Sequence, residues 1–423
     1  MPLFEDKVLH RFKILETVPD SILPDYNGLG LSSLVPSVSQ WLGGPELYGQ
    51  VFDDVIMREF APRYRRVVVL LVDALGYNWL IRMITEGKVP FWQKQLEKGL
   101  LFPISSVCPS TTATALTTLW SGADPNQHGV IGYEMYLSKY GMNINNLFHT
   151  PAVFENDIGG LSRAGFDPET FIGFDPVGVH FAKSGIESHA IMPAHIIGSG
   201  LSRMHMTDVF THGFYSDADM WIKLRRLLNT PKPRKQYIYL YWSLVDSLMH
   251  RNGRDHESGL ETFIDFSYSL ERVLLGGMND FAKKDTLVLL TADHGSVDTP
   301  IDDQYDLNNH PELRDMLILP PTCEGRLPFF YIKASQDLAV KQYIEQTWPD
   351  KFVFLRRDDV LEMGLFGLGQ SHSDLHNRIG DYVLIPKEPE VYFWWPAKRN
   401  VLVGRHGGLH KDEMLVPLFA LSL

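Results

Sequence analysis

Short apolar runs that end abruptly in a polar residue recur along this chain and constrain its fold more than any other feature. VVVLLVD ends at Asp73, and DTLVLLTADHG reaches Asp293 after seven consecutive apolar or β-branched residues. LLFPISSVCPS before Thr112 and QYIYLYW before Asp246 have the same form. Such runs are typical of strands that are buried on both faces of a parallel sheet. The sequence therefore predicts an α/β protein with a mostly parallel central sheet flanked by helices.

The segment between QYIYLYW and DTLVLLTADHG predicts the helix that connects two parallel strands. Its apolar residues recur at the spacing of one helical face: Phe263, Phe266, Leu270, Val273 and Leu274. Gly276 and Gly277 follow them, and glycines at this position are typical of a helix end. The final LVPLFALSL predicts a buried terminal strand.

Two stretches that are richer in Pro, Gly and turn residues interrupt this pattern. They lie near 134–215 and 296–400, and we predict that they form cap segments inserted around the strand ends of a domain spanning 63–423. FFYIKAS, KFVFLRR, DYVLIPK and VYFWWP in the second stretch are predicted short strands. Residues 1–62 are predicted to be an N-terminal extension packed on this core.

Composition narrows the class of protein. The 423 residues are 44% hydrophobic, which suits a large core, and the net charge of −12 argues against non-specific binding to nucleic acids or anionic membranes. Two cysteines, Cys108 and Cys323, predict neither a disulfide framework nor a cysteine-based zinc site. Without a signal-peptide pattern or an apolar run of ~20 residues, we expect a cytoplasmic protein. The sequence predicts no oligomeric state.

Carboxylate, imidazole and hydroxyl groups follow the predicted strands. Groups just past the carboxyl ends of parallel strands converge on one crevice, even when they lie far apart in sequence. Imidazole nitrogen and carboxylate oxygen, without thiolate, are typical ligands of zinc and similar divalent metals, and a metal pair suits in-line displacement at phosphorus. The candidate residues are Asp73, Thr112, Asp246, His250, Asp293, His294 and His406.

Each of these signals has a structural alternative. Asp246 and His250 are four residues apart, so one helical turn places both on one side, but a capping Asp and a surface His give the same pattern. Asp73 alone is also explained as the cap of a following helix. Asp293 and His294, two adjacent ligands at a strand end, form the most specific signal, and their alternative is an ordinary turn.

The small residues around Thr112 also have two interpretations. They suit a tightly packed helix, which needs no chemistry. They equally suit a nucleophile, because a threonine hydroxyl becomes a good nucleophile when a metal binds it and stabilises the alkoxide. A helix that begins at this residue would also stabilise phosphate oxygens through its N-terminal N–H groups.

Taken in order, VDALGY, PSTTATALTTLWSG, ADPNQHGV, VDSLMH, TADHG and RHGGLHKDEMLVPLF resemble the alkaline phosphatase superfamily, most of all its type I phosphodiesterase and nucleotide pyrophosphatase branch. The resemblance covers roughly residues 65–423. It implies an alkaline phosphatase-like fold, two divalent ions, zinc or manganese, and hydrolysis of phosphodiester or pyrophosphate bonds through a phospho-threonine intermediate. It implies one ion held by Asp73, Thr112, Asp293 and His294, and another held by Asp246, His250 and His406.

The spacing of the branch pattern selects between neighbouring candidates. Ten residues separate Thr112 from Gly122, as in the branch, which favours Thr112 over Thr111 as the nucleophile. The residues after His406 also match the branch spacing, so His406 is preferred to His410.

This chain departs from the branch at one position. Nucleotide-cleaving members have a phosphate-contacting Asn where this chain has Tyr133, so the resemblance does not extend to nucleotide specificity. His128, in the same segment, is interpreted as structural rather than as a ligand.

Two other functions remain as alternatives. A phosphomonoesterase of the same fold is weakly disfavoured, because no Arg lies beside the Thr112 motif to bind the extra phosphate charge. A non-catalytic protein that binds a phosphorylated ligand is disfavoured because all seven candidate positions are filled. The expected partner is a small phosphate ester, with no nucleic acid and no membrane.

Overall fold

Two large β-sheets organise the computed structural model, which describes residues 4–61, 63–154, 157, 159–421 and 423. The strands in chain order are β1 (Arg66–Val72), β2 (Leu100–Ser105), β3 (Glu134–Leu137), β4 (Met142–Asn145), β5 (Thr150–Pro151), β6 (Ile186–Pro193), β7 (Val209–Phe214), β8 (Lys235–Trp242), β9 (Thr286–Thr291), β10 (Val297–Asp298), β11 (Thr322–Glu324), β12 (Leu327–Phe330), β13 (Phe352–Arg356), β14 (Tyr382–Pro386), β15 (Gly404–Arg405) and β16 (Leu415–Ala420).

Helices surround these sheets. The α-helices in chain order are α1 (Phe4–Val8), α2 (Leu34–Leu42), α3 (Asp54–Met57), α4 (Tyr77–Thr85), α5 (Pro90–Leu96), α6 (Thr112–Ser121), α7 (Pro125–His128), α8 (Gly160–Arg163), α9 (Val177–Lys183), α10 (Gly200–His205), α11 (Asp217–Asn229), α12 (Leu244–Asn252), α13 (Glu257–Ser269), α14 (Asp280–Lys283), α15 (Pro311–Met316), α16 (Asp337–Thr347), α17 (Arg357–Glu362), α18 (Leu375–Ile379) and α19 (Lys411–Met414). Among the described residues, none of them has the length and apolar character needed to cross a bilayer.

The main sheet has seven strands in the order β2-β16-β9-β1-β8-β6-β7. All of them run in one direction except β16, which is antiparallel to both neighbours. Every residue of β1 and β9 is buried, because helices cover both faces of the sheet. The predicted α/β fold with a mostly parallel central sheet is therefore confirmed, and LVPLFALSL contains the predicted terminal strand as β16.

The connection from β8 to β9 also follows the sequence pattern. It contains α13, which continues through a π-helical turn over Leu270–Leu274 and ends in a 3-10 turn over Leu275–Gly277. Phe263, Phe266 and Leu270 are fully buried against the main core. The predicted helical face and the glycine end are both present.

The second sheet is antiparallel throughout, in the order β13-β14-β12-β11-β3-β4-β5. Its strands come from both predicted insertions. KFVFLRR and DYVLIPK contain β13 and β14, whereas FFYIKAS overlaps β12 only at Phe329 and Phe330. The prediction of a strand at VYFWWP is wrong. There the N–H of Phe393 bonds to Gly325 and the N–H of Trp394 bonds to Tyr305, so no continuous ladder forms.

The stretch 134–215 also supplies β6 and β7 of the main sheet. Residues of the predicted N-terminal extension, including Phe12, Tyr26 and Trp41, are buried in the main core. The domain boundary at residue 62 stays a prediction. A buried ion pair links the two sheets, because Arg326 in the turn between β11 and β12 binds Glu413 of α19 at 2.8 Å, directly before β16.

Candidate active site

The seven residues selected from the sequence lie together at the carboxyl end of the main sheet. Asp73 directly follows β1, and Asp293 and His294 follow β9. Thr112 is the first residue of α6, which comes after β2, and Asp246 lies in the first turn of α12, which comes after β8. His250 is one turn further along α12, and His406 follows β15. The strand ends of the main sheet thus converge with the residue that follows β15, and the assembled residues are up to 333 positions apart in sequence.

One part of the cluster surrounds the His294 ring. Nε2 of His294 lies 3.2 Å from Oγ1 of Thr112, 3.4 Å from Oδ1 of Asp73 and 3.6 Å from Oδ2 of Asp293. All four residues are buried. A hydroxyl, two carboxylates and an imidazole therefore face the same small volume.

The other part is formed by Asp246, His250 and His406. Oδ1 of Asp246 lies 3.3 Å from Nε2 of His250 and 3.7 Å from Nε2 of His406, and the two histidine nitrogens are 3.1 Å apart. The two parts adjoin, since the rings of His294 and His406 stack with centroids 3.6 Å apart. Ligand atoms of Asp73, Asp246 and His294 also lie within 4.8 Å of one another.

A backbone carbonyl fixes the orientation of each of the three imidazoles. Nδ1 of His250 lies 2.8 Å from the carbonyl of Gly404, Nδ1 of His294 2.9 Å from that of Gly295, and Nδ1 of His406 3.0 Å from that of Ser110. A carbonyl can only accept, so each Nδ1 donates its proton to a carbonyl and each Nε2 faces the cluster. This is the arrangement by which proteins orient metal-binding histidines.

The charges of the cluster favour a bound cation. Burial and the charges of Asp293 and Asp246 raise the pKa of Asp73 well above its usual value. Burial and the neighbouring His294 and His250 lower the pKa of His406 far below its usual value, so this ring is neutral at pH 7. Oδ1 of Asp73 and Oδ2 of Asp293 are buried and accept no hydrogen bond from any described residue. These residues fit divalent cations, which would satisfy both oxygens.

Neighbouring residues that the sequence also raised as candidates have other roles. The Thr111 hydroxyl donates a hydrogen bond to Glu324, whereas the hydroxyl beside His294 is that of Thr112. His410 caps α19, where its Nδ1 accepts from the N–H of Asp412. His128 is buried, and its Nε2 lies 3.0 Å from the hydroxyl of Thr118.

Two further residues of the site were missed by sequence reasoning. The hydroxyl of Tyr241 donates to Oδ2 of Asp73, and Glu324 of β11 lies beside Thr111. A signal for Tyr241 was present in the sequence. Tyr237, Tyr239 and Tyr241 occupy every second position of β8, so all three lie on the same face of the strand. Glu324 carried no signal, because its position depends on the pairing of the second sheet.

Two cavities of different character meet at Thr112. The larger has a volume of about 510 Å³ and reaches His250, His406 and Glu324, with Trp395 and Arg399 among its other walls. The smaller, about 110 Å³, has mainly apolar walls that include Leu116, Met192, Ile196 and Leu201. Groups on two sides of a phosphorus atom at Thr112 would therefore enter different surroundings.

The fold is shared with solved structures at low sequence identity. Human ectonucleotide pyrophosphatase/phosphodiesterase 5 matches with a TM-score of 0.63 and 16% identity over 84% of this chain and 87% of that chain. The murine protein of the same name matches with a TM-score of 0.61 at 16% identity and the same coverage. Phosphonoacetate hydrolase from Sinorhizobium meliloti 1021, in complex with phosphonoformate, matches with a TM-score of 0.61 at 18% identity over 85% of this chain and 90% of that chain.

These likenesses show that the chain shares the fold of these proteins. No curated protein matches the chain in sequence. Residues 67–408 match the model of the family described as type I phosphodiesterase / nucleotide pyrophosphatase. The chain belongs to this family, and family membership supports hydrolysis of phosphate esters.

Proposed function

We propose that the protein is a two-metal hydrolase of phosphodiester or pyrophosphate bonds and that Thr112 is its nucleophile. The observation that carries this proposal is the position of the Thr112 hydroxyl. It lies 3.2 Å from Nε2 of His294 and belongs to the first residue of α6. The hydroxyl is thus beside the carboxylate and imidazole cluster and at the positive end of a helix dipole, where an anionic phosphoryl group is stabilised.

The donor atoms divide into two sets. Asp73, Thr112, Asp293 and His294 would hold one cation, and Asp246, His250 and His406 would hold the other. Zinc suits this combination of nitrogen and oxygen donors, and manganese is the alternative. When bound, the cations would favour ionisation of the Thr112 hydroxyl and neutralise charge on the phosphoryl oxygens.

The residues of the chain then define a two-step reaction. The Thr112 oxygen forms a bond to phosphorus while the ester bond on the opposite side breaks, which leaves a phospho-threonine and releases an alcohol or phosphate. Water then attacks phosphorus and restores the Thr112 hydroxyl. Each step inverts the configuration at phosphorus, so we expect overall retention. The N–H groups at the start of α6 bind phosphoryl oxygens in both steps.

The two cavities at Thr112 favour diesters over monoesters. A diester carries one substituent on each side of phosphorus, and each cavity accommodates one of them. Among the described residues that line the smaller cavity there is no Arg or Lys to bind the second charge of a monoester, whereas Lys398, Arg399 and Arg405 line the larger one. An inactive threonine-to-alanine variant of the murine pyrophosphatase/phosphodiesterase 5 is described in complex with AMP, which supports a threonine nucleophile in this fold.

The proposed partner is a small phosphate ester, with neither nucleic acid nor membrane involved, and the proposed location is the cytoplasm. The net charge of −12 supports the exclusion of nucleic acid and membrane, because it would repel a phosphate backbone or an anionic lipid surface.

Hydrolysis of two chromogenic esters tests the proposal. The protein is loaded with zinc or manganese, its metal content is measured, and bis(p-nitrophenyl) phosphate is compared with p-nitrophenyl phosphate. We expect two ions per chain and a higher kcat/KM for the diester. A higher kcat/KM for the monoester would favour a phosphomonoesterase. Two bound ions without cleavage of either ester would favour a protein that only binds phosphorylated ligands.

A further inference from the structure

A carboxylate of the second sheet reaches the residue next to the proposed nucleophile. Oε1 of Glu324 accepts a hydrogen bond of 2.5 Å from the Thr111 hydroxyl and one of 3.2 Å from the N–H of Tyr133. Glu324 also lines the larger cavity, together with Thr112 and His406. This contact joins the second sheet to the loop that precedes α6.

The backbone around Glu324 is shaped to place this side chain. Cys323, the preceding residue, has a φ of +76°, a conformation that non-glycine residues rarely adopt. A Cβ at Gly132 would lie 2.6 Å from Cα of Cys323, and a Cβ at Gly407 would lie 2.5 Å from Cβ of Glu324. Both approaches therefore require glycine. The unfavourable backbone conformation of Cys323 and the close approaches at Gly132 and Gly407 together fix the position of the Glu324 carboxylate.

The consequence appears at the start of α6. Thr111 is the N-cap residue, and its φ of −140° and ψ of 149° suit a side chain that caps the helix. Its hydroxyl makes no capping hydrogen bond, because Glu324 holds it. Within the described part of the chain, no group accepts a hydrogen bond from the N–H of Ala113 or Thr114. These are the two N–H groups that an N-cap side chain would otherwise occupy.

We propose that Glu324 is a positioning residue that keeps the first turn of α6 open for the phosphoryl group by holding the Thr111 hydroxyl away from it. The role rests on the proposed function of Thr112 but concerns a residue outside the metal cluster. Without the carboxylate, the Thr111 hydroxyl rotates toward the helix and accepts from Ala113 or Thr114. The phosphoryl oxygens then lose a donor that acts most strongly in the transition state.

Three variants separate this role from a purely structural one. Glu324→Ala should lower kcat on the order of 100-fold, as the loss of one donor to a developing anion does, with a smaller change in KM. Glu324→Gln should stay near the wild type, because its amide oxygen still accepts from Thr111. Adding Thr111→Val to Glu324→Ala removes the hydroxyl that would cap the helix, so the double variant should recover at least tenfold over Glu324→Ala.

The recovery in the double variant is the decisive result. If Glu324 acted only through packing, the second substitution would leave activity unchanged or lower it further. Glu390→Ala, at an exposed position in the loop after β14, is the matched control and should behave as the wild type. Equal kcat for wild type and Glu324→Ala, or no recovery in the double variant, would overturn the proposal.

A binding measurement keeps the two proposals separate. The affinity of the metal-loaded proteins for inorganic phosphate, measured by calorimetry, should fall in Glu324→Ala and return in the double variant. A wild type that cleaves no ester but shows this pattern would contradict the hydrolase proposal alone. A wild type that cleaves esters while all variants bind phosphate equally would contradict the role of Glu324 alone.

Discussion

The hydroxyl of Tyr241 donates a hydrogen bond to one oxygen of Asp73 and leaves the other oxygen buried without a partner among the described residues. Tyr241 therefore orients the carboxylate toward the cluster. Removing such a partner typically weakens metal binding 10- to 100-fold. We expect Tyr241→Phe to have this effect on zinc affinity, measured by competition with a chelating dye. Tyr239→Phe is the matched control, since the buried hydroxyl of Tyr239 has no partner in the described chain. Equal zinc affinity in the two variants would contradict the orienting role.

Thr112→Ala should abolish turnover while leaving the fold and the metal site largely intact. The variant loses the attacking oxygen, so we expect kcat for bis(p-nitrophenyl) phosphate to fall on the order of a thousandfold or more. The other six cluster residues remain, so metal content and the thermal midpoint should change little. Thr85→Ala, at an exposed position at the end of α4, is the control. Near-normal turnover by metal-replete Thr112→Ala would rule out this nucleophile.

Because the carboxylates of the cluster lie close together, we expect Asp293→Asn to have opposite effects on thermal stability with and without metal. Asp293→Asn removes a charge that raises the pKa of Asp73. In the presence of a chelator, the variant should unfold at a higher temperature than the wild type, because less repulsion is buried. With excess zinc the order should reverse, since a ligand that binds the native state stabilises it in proportion to its affinity. A wild-type midpoint that is the same in chelator and in zinc would contradict metal binding at this cluster.

Glu324 predicts a pH dependence of stability. Burial raises the pKa of this carboxyl to about 8, against an ordinary value of 4.5. Between these values the folded protein keeps a proton that the unfolded chain releases. The free energy of unfolding should therefore fall as pH rises through this window, by at most about 1.4 kcal/mol per unit from this group.

Glu324→Gln has no such proton to lose, so its stability should fall less steeply between pH 4.5 and 8. Urea unfolding at several pH values in this range measures the difference. Glu390→Gln, at an exposed position, should keep the slope of the wild type. A slope in Glu324→Gln equal to that of the wild type would show that the carboxyl is already ionised in the folded protein at low pH.

The main sheet could be predicted from the sequence because its central strands are buried on both faces. VVVLLV and TLVLLT are continuous apolar runs for this reason, and the residues that follow them lie together because parallel strands end at one edge. Thr112 could also be placed, since α6 begins at this residue as the small residues around it indicated.

The second sheet could not be predicted to the same extent. Its strands are short, and β11 pairs with β3, which lies almost 190 residues earlier, through Cys323 and Glu134. Local pattern does not determine which of several short strands pair over such a distance. VYFWWP has the composition of a strand but divides its hydrogen bonds between two loops. Glu324 was missed for the same reason, because its contact with Thr111 exists only once that pairing is made.

The residues that cleave the bond at phosphorus and the residues that select the substrate come from different parts of the fold. The cluster is carried by the strand ends of the main sheet and by the loop before β16, whereas Glu324 and the strand-linking loops that bear Trp395 and Arg399 come from the other layer. Exchange of the loops that bear Trp395 and Arg399 between relatives, with Glu324 kept, should therefore change which substituent the larger cavity accepts without disturbing bond cleavage. Laboratory evolution toward new substrates has its most permissive starting points in those loops.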